Sequence, residues 1–232
     1  MRALTARKAF LKSLPVMGGY VVLGMGFGIL AHNAGYGVPW VLAMSLLMYA
    51  GSMQYLGISL LQGGASVLIT AVTTVMVNAR HLFYSISMIG RYRDTGRYKP
   101  YLIFALTDET YSLLCDGKAP EGTDPGLFFF LVSLFNHTWW VTGSLAGALL
   151  GGVLPFSTAG IEFSMTALFI ASLTEQWITM NDHLPTLTGL AGTLACLLVF
   201  GPERFLIPAM LLITLVLTLL RGRTAAGKEA ES

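Results

Sequence analysis

Apolar runs at about residues 13–33, 39–61, 64–90, 101–115, 127–152, 158–180, 186–201 and 203–220 leave this chain few choices of fold. A hydrocarbon core of roughly 30 Å takes about 20 apolar residues per helix, and several of these runs have that length. The connections between them carry turn chemistry: Gly35–Pro39, Gln62–Gly64, Arg91–Lys99, Asp116–Gly126, Pro155–Thr158, Asn181–Pro185 and Gly201–Arg204. Of the 232 residues, 54% are hydrophobic and 11% charged, too few polar groups to clothe a water-exposed globule. The expectation is an all-α, polytopic membrane helix bundle of seven or eight hydrophobic segments. It forms one integral domain over residues 1–232, embedded over 13–220, with 1–12 and 221–232 as cytoplasmic tails.

Charge placement sets the orientation. Arg2, Arg7, Lys8 and Lys12 precede the first run, Arg91, Arg93, Arg97 and Lys99 share one loop, and Arg221, Arg223 and Lys228 follow the last run. Lys and Arg mark the cytoplasmic side, so all three groups belong there. The first run contains Pro15 and several glycines and leads straight into further apolar segments, which reads as a retained helix rather than a cleaved signal. Three full crossings from an inside N-terminus would leave the Arg91–Lys99 loop outside. One early segment therefore does not span completely, and Tyr49–Ser52 is the expected break, because Gly and Ser weaken a helix and irregular backbone is tolerated where it lines a cavity. A weak internal repeat accompanies this: Ala50–Tyr55 echoes Ala171–Trp177, each followed about 30 residues on by an arginine, Arg80 and Arg204.

Polar residues inside apolar segments are costly and mark function or helix pairing. Thr70, Thr74, Asn78, His81 and Ser85 recur at steps of three or four and share one helical face, with Arg80 beside it. Thr107-Asp108-Glu109-Thr110 places two adjacent carboxylates within the run 101–115; one would neutralise Arg80 while the other carries a proton, or the set forms a structural ion pair between helices. Glu175, with Ser172 and Thr179 one turn away, is a third polar patch that reads equally as a proton or substrate site and as an interfacial helix end. Asn136 and His137 beside Trp139 and Trp140 read as packing and interfacial anchoring, and Glu162 and Glu203-Arg204 as surface turns. Gly24 and Gly28, like Gly143, Gly147 and Gly151, stand four apart and are assigned to close helix packing.

Enzyme signatures are missing: no His-Glu-x-x-His, no Gly-x-Ser-x-Gly, no phosphate-cradling glycine loop and no cysteine pair at zinc spacing. Cys115 and Cys196 sit far apart in apolar surroundings, so neither a disulfide nor a metal is expected, nor any cofactor. A net charge of +2 gives no reason to expect a nucleic-acid partner.

Four motifs, in this order, resemble the AzlC family of large subunits of branched-chain amino acid exporters: Pro15-Val-x-x-Gly-Tyr20, Tyr49-Ala-Gly-Ser-Met-Gln54, Asn78-Ala-Arg-His81 and Thr107-Asp-Glu109. The similarity runs from about residue 8 to 220, and its first half is the more specific. Ala79 and Tyr55 stand where a larger aliphatic residue and a phenylalanine would be expected. The resemblance implies export of branched-chain or similar amino acids, such as methionine, by a secondary transporter of the bacterial cytoplasmic membrane. It also implies a small AzlD-like membrane partner.

A zwitterion needs a cation or helix N-terminus for its carboxylate, a carboxylate or carbonyls for its ammonium and an apolar pocket for its side chain. On this expectation Arg80 and the broken-helix backbone at Gly51-Ser52 take the carboxylate. Asp108 takes the ammonium, with Asn78 and Gln54 as neutral partners, and Glu109, His81 or Glu175 exchanges a coupling proton. A scaffold subunit whose polar residues only hold a partner, or a small-solute channel, are the competing readings.

Overall fold

The computed structural model describes residues 2–115, 117–153, 163, 166–167, 170, 173–174, 177–178, 183–201 and 205–229. All secondary structure among the described residues is helical. Two compact units are present, Met1–Thr166 and Ala167–Ser232.

In the first unit, α1 (Arg2–Asn33) and α7 (Pro125–Gly151) form the central pair. They run parallel, because Val21, Met25 and Ile29 meet Gly143, Gly147 and Gly151 in that order. The glycines make the approach possible. A Cβ on Gly147 would lie 2.6 Å from the Cα of Met25, and one on Gly28 would lie 2.5 Å from the Ala148 backbone nitrogen. Backbone-to-backbone contact of this kind drives helix association where lipid supplies no hydrophobic force. The expectation for these glycines is thus met, and α1 runs unbroken through Pro15 into the basic N-terminal residues.

The run 39–61 is not one crossing but two short helices, α2 (Val38–Leu47) and α3 (Gly51–Gln62). At 1.5 Å per residue neither reaches across roughly 30 Å of hydrocarbon. They fold back on each other: Gln54 Nε2 donates to Ser45 Oγ at 3.3 Å, and Gly57 faces the side chain of Met44. In a continuous helix residues 45 and 54 would be about 14 Å apart. The turn passes through Tyr49, whose φ of 42° is unusual for a residue with a bulky side chain.

Helix α4 (Val67–Met88), 22 residues or about 33 Å long, runs the other way from α1. Its C-terminal end, at Met88 and Tyr92, packs with Ala9, Phe128 and Phe129 near the starts of α1 and α7. Residues 99–114 again form two short helices, α5 (Lys99–Phe104) and α6 (Asp108–Leu114). Both outer ends of this pair lie near the start of α7: Tyr98 packs on Phe130 at 4.9 Å, and Gly117 lies against the Arg91 side chain. The pair is therefore a second hairpin, entering from the end opposite to the first. Thr107 caps α6, its hydroxyl accepting from the Thr110 amide, which explains how a chain break forms at Ala105–Thr107 without glycine or proline.

Lys8 Nζ donates to the Glu121 carbonyl at 2.8 Å, and Gly126 lies beside Thr95 and Tyr98. The basic N-terminus and the Arg91–Lys99 loop therefore lie at one end, as charge placement requires, and the α2–α3 hairpin reconciles that with the segment count. α1 and α4 are long and apolar enough to cross a membrane. α7, at 27 residues, has the length.

The second unit contains α8 (Leu184–Phe200) and α9 (Leu206–Glu229), in contact where Gly192 meets Ile213. Helix α9 continues through residues 221–229, the expected tail. Glu162, Glu203-Arg204 and most of the 171–177 half of the repeat lie outside the described residues, as does Glu175.

Candidate functional site

The tips of the two hairpins meet α4 in its C-terminal half. Arg80 of α4 joins them: Nη1 pairs with Asp108 Oδ2 at 2.6 Å and Nη2 donates to Ser52 Oγ at 2.7 Å. Asp108 is the first residue of α6 and Ser52 the second of α3, so the arginine connects two helix N-termini. Asp108 complements the positive end of its own helix. The N-terminus of α3 has no side-chain cap, and its dipole favours an anion there.

Beside this cluster lies a cavity of about 160 Å³. Asn78, His81 and Ser85 of α4 form one wall; Met48, Tyr49 and Ala50 come from the first tip, and Ile103, Phe104 and Leu106 from the second. Asn78 Oδ1 and Asp108 Oδ1 are buried and make no hydrogen bond. The His81 ring contacts the Asn78 carbonyl through Nδ1 at 3.2 Å. The polar stripe thus divides: Asn78, His81 and Ser85 line the cavity, whereas the Thr74 hydroxyl bonds back to the Thr70 carbonyl at 2.7 Å.

The remaining expected residues fall elsewhere. Gln54 is fully buried, accepting from Trp140 Nε1 at 2.8 Å while its amide nitrogen donates to Ser45. Both ends are engaged, so Gln54 braces the first tip. Gly51 turns its α-carbon toward the Trp140 ring, where a Cβ would come within 2.9 Å, so only its backbone can serve a ligand. Glu109 accepts from Tyr20 Oη at 2.7 Å; the same hydroxyl lies 2.6 Å from Thr107 Oγ1.

Sequence reading undervalued one face of α7. Asn136 is fully buried and donates to Thr110 Oγ1 at 3.0 Å. His137 bonds the Tyr101 hydroxyl through Nδ1 at 2.9 Å and the Ser45 carbonyl through Nε2 at 3.1 Å, and stacks on Tyr49 with ring centres 4.1 Å apart. With Trp140 holding Gln54, this face ties α2, α3, α5 and α6 to one post. The available signal was the close spacing of three hydrogen-bonding side chains, Asn136, His137 and Trp140, in an otherwise apolar helix.

The AzlC protein family profile matches residues 15–154, which include both hairpins, α4 and α7. The chain belongs to the AzlC family. Among its relatives, the branched-chain amino acid transport protein AzlC of Bacillus subtilis is 43% identical over 215 residues, 93% of this chain and 85% of that protein. An uncharacterized membrane protein of Helicobacter pylori is 40% identical, covering 93% of this chain and 94% of its own length. The inner membrane protein YgaZ of Escherichia coli is 27% identical over 88% of this chain and 84% of that protein. No solved structure matches.

Proposed function

We propose that this AzlC-family chain is the large subunit of a secondary transporter that exports branched-chain or similarly apolar amino acids, methionine included. Export would cross the bacterial cytoplasmic membrane, coupled to protons and in company with a small AzlD-like membrane subunit. The observation that carries the reading is the Arg80–Asp108 pair set between two inward-facing helix N-termini. The name of the Bacillus subtilis relative supports the substrate class.

The pair is partly exposed, with the Arg80 and Asp108 side chains 30% and 33% accessible, and removing one partner leaves the other charge without its counter-ion. A zwitterionic amino acid supplies both missing charges at once. Its carboxylate takes the place of Asp108 on Arg80 and reaches the amides of Gly51 and Ser52; its ammonium binds Asp108 and the free Asn78 Oδ1. The exchange leaves no charge unpaired, so the site favours zwitterions over simple ions. Glu109, held by Tyr20, is the candidate for the coupling proton, with His81 in the cavity wall as the other; Glu175 keeps that assignment on its sequence setting alone.

The test is flux of labelled leucine, valine, isoleucine and methionine in proteoliposomes, with this chain alone and with the small partner. Saturable flux driven by a pH gradient is expected only with both. Folded protein without flux in either preparation would overturn the reading, and non-saturable conductance would indicate a channel.

A further inference from the structure

We infer that the cavity between the hairpin tips is the pocket for the substrate's side chain, and that Phe104, Met48 and Ala50 set which side chains fit. The inference rests on the amino acid transporter reading and adds where selectivity resides.

Each wall of the cavity adjoins a member of the charged cluster in sequence. Ala50 comes two residues before Ser52, Leu106 two before Asp108, and Asn78 and His81 flank Arg80. A ligand whose charged end replaces the Arg80–Asp108 contact therefore extends its remaining atoms into this space. The space is amphipathic: Asn78, His81 and Ser85 line the α4 side, and Met48, Ile103, Phe104 and Leu106 the tips. At about 160 Å³ it exceeds a single water site.

The two tips contribute unequally to size. Phe104 stands where they meet, its ring 6.3 Å from Tyr49 and 5.8 Å from His137, so truncating it opens the pocket toward the α7 post. Met48 is 38% exposed and lies outside the buried core, so shortening it enlarges the pocket without removing a core side chain. Ala50 has an extended-range φ of −134°, which a β-branched residue tolerates, so Ala50→Val narrows the same space.

The experiment measures competition by valine, leucine, methionine and phenylalanine for labelled leucine bound to the purified full-length chain with its small partner. One methylene in an apolar pocket shifts preference by about tenfold or more. Phe104→Ala and Met48→Ala are expected to move the ranking toward phenylalanine and methionine by about tenfold, and Ala50→Val toward valine by a similar factor. A ranking unchanged in all three variants, with leucine still bound, would overturn the pocket and leave the transporter reading standing. Wild-type protein that binds none of the four would remove both. Met48→Ala keeps the test decisive if Phe104→Ala does not fold.

Discussion

Arg80 and Asp108, 28 residues apart and on different helices, close to 2.6 Å where two oppositely entering hairpins meet. Neither hairpin crosses the unit. Each brings a helix N-terminus to Arg80 on α4, and the arginine holds both through Ser52 and Asp108. The arrangement makes each charge dependent on the other, which gives the first prediction. Asp108→Asn keeps the shape and removes the charge, so amino acid binding should weaken by about 10- to 100-fold, the worth of one charge-assisted hydrogen bond. Isothermal titration with leucine, beside thermal unfolding of the same sample, separates lost binding from lost fold. Wild-type affinity in the variant would end the assignment of the ammonium to Asp108.

The hairpins also give a prediction for which loops share a side of the membrane. In a background lacking Cys115 and Cys196, cysteines placed at Asn33 and Gly63 should react from one side, and cysteines at Arg93 and Glu121 from the other. A membrane-impermeant maleimide applied to intact cells and to inverted vesicles reads this directly. Labelling of 33 and 63 from opposite sides would mean that α2 and α3 cross as one helix.

How much of this could be read from the sequence depended on local signals. The break at Tyr49–Ser52 was visible because Gly51 and Ser52 coincide with a conflict between charge placement and segment count. The Ala105–Thr107 break was not, since no glycine or proline marks it and the Thr107 cap resembles any threonine in an apolar run. The face of α4 was legible from period alone, and its cavity-lining part includes Asn78 and His81. The particular partners of Gln54, Asn136 and His137 were not legible for a different reason. Their roles depend on which helix lies opposite, and hydropathy carries no information about neighbours distant in sequence.

Glycine contact between α1 and α7 carries the framework, so added bulk there should cost stability rather than selectivity. Gly147→Leu forces side-chain atoms into the Met25 backbone, whose Cα lies 2.6 Å from where a Cβ would be. Overpacking of this kind costs about 1–3 kcal/mol even in cores that can adjust, and backbone adjusts least. The expected result is a fall in the melting temperature of the detergent-purified protein and in its monodisperse yield. Gly18→Ala, at a position with open space, should leave both unchanged.

His137 offers the sharpest separation between holding the site and forming it. Its ring joins the first hairpin through the Ser45 carbonyl and the second through the Tyr101 hydroxyl, and it does not line the cavity. Substituting His137→Phe keeps the stack on Tyr49 but removes both hydrogen bonds, leaving the Tyr101 hydroxyl and the Ser45 carbonyl without this partner. Each lost bond to a group that stays buried costs about 1–3 kcal/mol. The two tips should then open relative to one another, weakening leucine binding without altering the ranking of leucine against valine and methionine. Tyr101→Phe removes only the second tie and should produce the smaller loss. A changed ranking in His137→Phe would place the ring in contact with substrate, and unchanged affinity in both variants would show that the tips keep their positions without this post.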